Sequence, residues 1–293
     1  MKQLRDSDEE KGFIMKKLCI GFAPVLLLVF GILPAFAASG KIDIAVSVPP
    51  QAYFVERIGG SLVLVHILIP GGADPHSYEP TPRQLINLSA SRIYVKVGTP
   101  TFPMESKYLS TLLERNPLMT VIDTSAGMKF RTGDPHVWTS PTLVKITASN
   151  IAKALVTHDP LHKDYYARNL AEFLSEIDGL DQWIRKSLKG KSGSSFIIYH
   201  SAWGYFADAY NIIEIPIEEE GKPGSAARIR EIIDLARKKG IRDVLVQKGF
   251  DERNARAVAA ELGGKTVEVD PLARDWPQGL KKFTATLRDV LKR

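Results

Sequence analysis

Short, β-branched apolar runs alternate along this chain with segments of helical periodicity. Ile42–Val48, Val63–Ile69, Arg92–Val97 and Thr120–Ile122 read as strands in the first half. Phe196–Tyr199, Ile212–Ile217, Asp243–Gln247 and Thr266–Val269 read as strands in the second. These runs are too uniformly apolar to alternate, as expected of strands covered on both faces by helices. Thr81-Pro82 opens a helix with a hydroxyl N-cap and proline at the first helical position. Pro141, Pro160 and Pro271 mark further boundaries. Between the halves, Leu161 to Leu188 carries Leu170, Phe173, Leu174, Ile177, Ile184 and Leu188 at the i, i+3, i+4, i+7 spacing of one helix face. Such a helix would run about 40 Å, longer than one small domain is wide. It can brace two lobes; the alternatives are an ordinary surface helix or two helices broken near Gly179. Gly190–Ser195 after it is a flexible joint. The predicted fold class is α/β, with two α/β lobes bridged by a long rigid helix. The expected divisions are a signal peptide at 1–37, an N-terminal lobe at 38–160, the bridging helix at 161–189 and a C-terminal lobe at 190–293.

The segment before the first strand is of another kind. Met15-Lys16-Lys17 opens a basic region, Leu18 to Pro34 is almost wholly apolar, and Ala35-Phe36-Ala37 has the small-x-small form of a cleavage site. This pattern predicts a cleaved secretory signal peptide and a periplasmic protein; an uncleaved membrane anchor is the alternative. Asp6, Asp8, Glu9 and Glu10 are unlike a signal's basic region, which places the expected translation start at Met15. The single cysteine, Cys19, lies at the start of the apolar run, whereas a lipidated cysteine would sit at its end. The mature chain then has no disulfide and no thiolate, so a metal site in it must be built from His, Asp and Glu.

Composition narrows the classes further. With 44% hydrophobic and 25% charged residues in 293, the chain sits on globular averages, which excludes disorder, collagen-like sequence and a disulfide scaffold. The net charge of +6 is spread without a basic run longer than three residues, so nucleic acid is not an indicated partner.

The candidate chemistry lies in the histidines. Asp74-Pro75-His76 and Asp134-Pro135-His136 are the same tripeptide sixty residues apart, each after a glycine-containing turn. On such loops an imidazole can point into a cleft, and the preceding aspartate can orient the ring or bond the loop backbone. Two Asp-Pro turns with solvated histidines remain the plainer alternative. His200 and Asp270 each end a strand, and in open α/β sheets ligands bind beyond the carboxyl ends of strands. The two halves can therefore converge on one cleft with three imidazoles and a carboxylate, a set suited to Zn²⁺. His66 reads as a core or packing residue inside an apolar strand, and His158 and His162 as solvated. Glu218-Glu219-Glu220 reads as an exposed loop charge run, with a weak cation contact as the alternative. No HExxH helix, phosphate loop, GxSxG elbow or GxGxxG is present.

These residues carry a resemblance to the metal-binding solute-binding proteins of bacterial zinc and manganese ABC importers, in particular the zinc-uptake type. The matches run from Gly72-Ala73-Asp74-Pro75-His76-Ser77-Tyr78-Glu79-Pro80 through Asp134-Pro135-His136-Val137-Trp138 and Pro141. Asp159-Pro160, Tyr166 and Asn169 follow, then His200 with Tyr205-Phe206, and Val269-Asp270-Pro271-Leu272. The resemblance implies metal held between two lobes by His76, His136, His200 and Asp270, with Asp74, Asp134 and Glu79 as outer candidates. It implies Zn²⁺ as cargo, because manganese-type members generally have Glu where this chain has His200; Mn²⁺ or Fe²⁺ is the alternative. The implied partners are an ABC permease and its ATPase, with the membrane reached only through the transporter, and the protein is expected to act as a monomer. Two features depart from the family pattern. Met128–Gly133 contains no histidine where many zinc-type members carry a His-rich loop, and Gln247 stands where Glu is common. Four protein ligands fill a tetrahedron and leave no place for a reactive water, so no enzymatic activity is expected. The rivals are a secreted zinc hydrolase using Asp270 or Glu79 as general base, and a zinc chaperone or adhesin without a transporter.

Overall fold

The apolar runs pair as parallel strands because each is followed by a helix or long crossover that returns the chain to the same end of its sheet. The computed structural model describes residues 40–75, 77–218, 224–248 and 253–291. The proposed signal segment with Met15 and Cys19, and also His76, Glu219 and Glu220, lie outside the described residues.

In the first lobe β1 (Ile42–Val46), α1 (Pro49–Gly59), β2 (Val63–Ile67), α2 (Pro82–Ser89), β3 (Ile93–Lys96), α3 (Pro103–Arg115) and β4 (Thr120–Asp123) follow one another. The second half opens with α4 (Pro141–His158) and α5 (Lys163–Ser187). Then come β5 (Ser195–Ile198), α6 (Gly204–Tyr210), β6 (Ile213–Pro216), α7 (Ala226–Lys239), β7 (Val244–Gln247), α8 (Arg253–Glu261), β8 (Thr266–Val269) and α9 (Trp276–Val290). The sheets have the same order, β2-β1-β3-β4 and β6-β5-β7-β8, with every pairing parallel. All eight predicted strands are present within two residues of their expected ends. Among the described residues no helix is long and apolar enough to cross a membrane.

His66 departs from expectation. It lies on the edge strand β2, partly exposed, with Nε2 2.9 Å from Asp43 Oδ1 on the neighbouring strand. An edge strand has one open flank, so an apolar sequence context did not bury it.

The bridge is one helix, as the periodicity implies, but it starts later than Leu161. Asp159 holds a tight turn in which its carboxylate accepts from Tyr166 Oη at 2.7 Å and sits 2.7 Å from His162 Nδ1. α5 then runs unbroken through Gly179 for 25 residues, about 37 Å. It buries Tyr166, Phe173, Ile177, Leu180 and Ile184 along one stripe and packs on α4, on α1 of the first lobe and on α9 of the second.

The lobes share one core across this helix. Phe54 of α1, Phe173 of α5 and Trp276 of α9 meet with centroids 5.2 Å (Phe54–Trp276), 6.0 Å (Phe54–Phe173) and 6.3 Å (Phe173–Trp276) apart. Trp276 Nε1 donates to Trp138 O at 2.7 Å, and Trp138 Nε1 donates to Pro271 O at 2.8 Å. Arg274 closes the rim onto Glu56 at 2.6 Å. Two buried indoles with satisfied N–H groups and a shared apolar core make the junction stiff.

In a sheet of this order the chain leaves the central pair of strands in opposite directions, opening a crevice at their carboxyl ends. In the first lobe that crevice is filled from within. Glu105 accepts from Val97 N at 2.5 Å and Gly98 N at 3.0 Å just past β3, and its carboxylate also takes the hydroxyl of Ser47 just past β1. In the second lobe the carboxyl ends of the central strands β5 and β7 lead to His200 and Gln247.

Candidate metal centre

His200 is placed by a ladder that outlasts its strands. Past the end of β5 and β6, Ile217 N donates to Ile198 O at 2.8 Å and Glu218 N to Tyr199 O at 2.9 Å. This continued pairing sets Glu218 beside His200, with Oε2 2.6 Å from Nδ1 and side chains only 10% and 7% exposed. Glu218 is therefore not part of a solvated charge run, and the register of two parallel strands is what brings it in. The following loop is held by Glu214, which accepts from Ser201 Oγ at 2.8 Å, Ala202 N at 3.2 Å and Trp203 N at 2.9 Å. Burial pushes the Glu214 carboxyl above its ordinary range, these bonds oppose the rise, and the nearby Asp134 charge adds to it. Trp203 stacks on Phe283 at 3.5 Å, which fixes the loop to α9.

His136 is placed by a different device. Gly133 at φ +74° makes the turn, a conformation that favours glycine, and Gly72 at φ +81° does the same ahead of the first Asp-Pro-His. Asp134 Oδ1 then accepts from His136 N at 2.9 Å and meets Nδ1 of the same ring at 2.9 Å. Although this loop follows the first sheet, it is fastened to the second lobe. Arg131 N donates to Tyr205 Oη at 2.9 Å, Tyr205 Oη donates to Asp134 O at 3.1 Å, and Arg131 Nη1 pairs with Asp208 at 2.5 Å.

Gly204, at the start of α6, permits this approach. A Cβ there would lie 2.5 Å from Asp134 Oδ2 and 2.7 Å from Arg131 Nε. Gly204→Ala is expected to displace the Asp134 carboxylate and destabilise the fold by about 1–3 kcal/mol, as overpacking does. Chemical denaturation checks the stability, and a crystal structure of the variant checks the displacement.

The result is a pair of buried imidazoles, His136 and His200, with ring centroids 5.4 Å apart and planes at 77°. They border a cavity of about 510 Å³ with Thr101, Pro103 and Glu218 on its walls. Burial lowers the His136 pKa below its ordinary value of 6.5; the Asp134 carboxylate opposes that shift, the neighbouring His200 adds to it, and Asp74 works against it. Burial by itself raises Asp134, but the bonds from His136 and the Arg131 charge outweigh it and hold that carboxyl low. The outcome is a neutral ring beside an ionised carboxylate, the protonation state a metal requires.

Other candidates fall elsewhere. Asp74 acts on His136 through its charge and accepts from Ser77 Oγ at 2.7 Å. Glu79 is exposed and paired with Lys107 Nζ at 2.8 Å. Asp270 caps its own turn, accepting from Leu272 N at 2.9 Å, and borders small pockets against α9 rather than the wall between the two histidines. Gln247 ends β7 between the strands that lead to His200 and Asp270, and is 2% exposed. Among the described residues no three His, Cys, Asp or Glu side chains stand close enough together to hold a metal ion. His76 is outside them.

Comparison with known proteins adds an independent line. Residues 44–293 match the family described as "Zinc-uptake complex component A periplasmic". A solved structure titled "Crystal structure of ZnuA" is 40% identical, covers 86% of this chain and 100% of its own, and superposes with a TM-score of 0.82. The high-affinity zinc uptake system protein ZnuA of Bacillus subtilis is 25% identical over 269 residues, 83% of this chain and 80% of that one. The iron-binding protein YfeA of Yersinia pestis is 28% identical over 232 residues, 74% of each.

Proposed function

Since this chain belongs to the family of periplasmic components of zinc-uptake complexes, we propose that it captures Zn²⁺ in the periplasm and delivers it to an ABC permease and its ATPase. The observation that carries this reading is the pair of buried imidazoles across one cavity, each with its Nδ1 against a carboxylate. Carboxylates so placed fix the tautomer and turn Nε2 toward the metal. The ligand set in this reading is His76, His136, His200 and Asp270. Asp270 follows β8 as His200 follows β5, at the carboxyl end of one parallel sheet, and would have to turn from its own loop to join the histidines. Nitrogen-rich, four-coordinate sites favour Zn²⁺ over Mn²⁺, which prefers oxygen and higher coordination. A closed set of four protein ligands suits carriage rather than catalysis. Residues 1–37 direct export, and the protein works as a monomer. Release is by a small movement of the loops, because the stiff aromatic junction opposes wide parting of the lobes.

Competition titration of metal-free protein beginning near Ala38 tests the metal. Zn²⁺ is expected to bind more tightly than Mn²⁺ or Fe²⁺, and the reverse order would overturn the assignment. The pH dependence has a defined sign. A histidine whose folded pKa is depressed contributes stability above the unfolded value near 6.5, and that contribution is lost as pH falls through the depressed value. Zn²⁺ affinity and the apo-protein thermal midpoint are therefore both expected to hold between pH 7 and 8 and to fall below about pH 6. Isothermal titration and thermal melts across that range provide the check.

A further inference from the structure

We propose that Glu218 is a positioning residue for metal capture: it holds His200 in the Nδ1–H tautomer, so that Nε2 is the coordinating nitrogen. The proposal rests on the reading of His200 as a metal ligand and assigns a task to a residue outside that ligand set.

The geometry carries it. Glu218 Oε2 is 2.6 Å from His200 Nδ1, and both side chains are nearly buried. A carboxylate at that depth loses most of its hydration and needs a donor; the imidazole N–H is that donor. Neither side chain reaches the other through a flexible loop, because Glu218 N donates to Tyr199 O at 2.9 Å and Ile217 N to Ile198 O at 2.8 Å. The pairing is thus set by strand register, and the ring plane is set by the pairing. His136 obtains the same service within its own loop from Asp134, two residues upstream. His200 has no acid at that spacing, since Ile198 and Tyr199 precede it within β5 and its extension. The chain supplies the acid from the neighbouring strand instead. A fixed Nδ1–H···carboxylate contact makes the ring a stronger donor at Nε2 and removes its freedom to flip, which favours a compact, nitrogen-preferring cation.

The test compares wild type with Glu218→Ala and Glu218→Gln in the full mature chain. In metal-free protein, long-range ¹H–¹⁵N correlations of the His200 ring report its tautomer directly. Wild type is expected to be Nδ1–H, the alanine variant to shift toward Nε2–H, and the glutamine variant, whose amide oxygen still accepts, to stay Nδ1–H. Zn²⁺ affinity measured against a competing chelator is expected to fall about 10–100-fold in Glu218→Ala and by less in Glu218→Gln. A wild-type His200 found as Nε2–H overturns the proposal. So does an alanine variant that keeps the Nδ1–H tautomer or binds Zn²⁺ within twofold of wild type. A glutamine variant as weak as His200→Ala would make Glu218 a ligand itself and overturn the positioning role. If the wild-type protein bound no zinc, the transport reading would fail, while the tautomer comparison would still decide what Glu218 does to His200.

Discussion

Replacing His136 with alanine is expected to weaken Zn²⁺ binding by about two to three orders of magnitude. Zinc sites with about four protein ligands gain roughly 10–16 kcal/mol in all, so one ligand accounts for roughly a quarter of it. The ring is buried, its neutral form is favoured by burial, and Asp134 holds it from behind, so little of its contribution is lost to reorganisation. Competition with a chromogenic chelator measures the change. A His136→Ala variant that binds as wild type would remove this ring from the ligand set and with it the observation on which the function rests. Asp134→Asn keeps the size of the side chain but not its charge, and its smaller expected loss, about 10–100-fold, would separate orientation from coordination.

The second large effect lies away from the metal. Trp276→Ala removes an indole that packs between Phe54 and Phe173 and whose N–H satisfies Trp138 O in the loop carrying His136. Truncating a buried Trp costs about 3–5 kcal/mol. For a chain of this size that is a fall in thermal midpoint of about 6–20 °C. Because Trp138 in turn bonds Pro271 beside Asp270, the same change loosens both flanks of the candidate site. Differential scanning calorimetry measures the midpoint, and Zn²⁺ should raise it less in the variant than in wild type. An unchanged midpoint would mean that the aromatic cluster does not join the lobes.

The stiff junction also bears on how the parts of the site move. The loop with His136 belongs to the first half of the chain, yet Arg131, Tyr205, Asp208 and Trp138 tie it to the second lobe. His136 and His200 therefore form one pre-arranged pair.

Much of this was written locally. The eight strands announce themselves because a strand covered on both faces leaves a short, wholly apolar run. The bridging helix shows in a spacing that only one helix face produces, and the repeated Asp-Pro-His shows because the chemistry and its turn are contiguous. Each signal survives without knowledge of what lies opposite. The start of α5 was not legible to the residue, because the Asp159–Tyr166–His162 contacts that delay it are made by side chains, not by periodicity.

What the sequence by itself determined is the α/β class, the two lobes and the long helix, and it singled out the histidines that the proposed function takes as ligands. What only the tertiary structure decided is which groups support them. Glu218 looked like one member of an acidic run, and strand register placed it against His200. His66 looked buried, and the sheet's edge left it half open beside Asp43. Gly204 carries no signal in the sequence, and only the close approach of Asp134 and Arg131 shows why a side chain there would crowd the site. Pattern along a chain reports whether a position faces a core. It does not report the neighbour, because parallel pairing joins residues whose separation is set by the crossover between them.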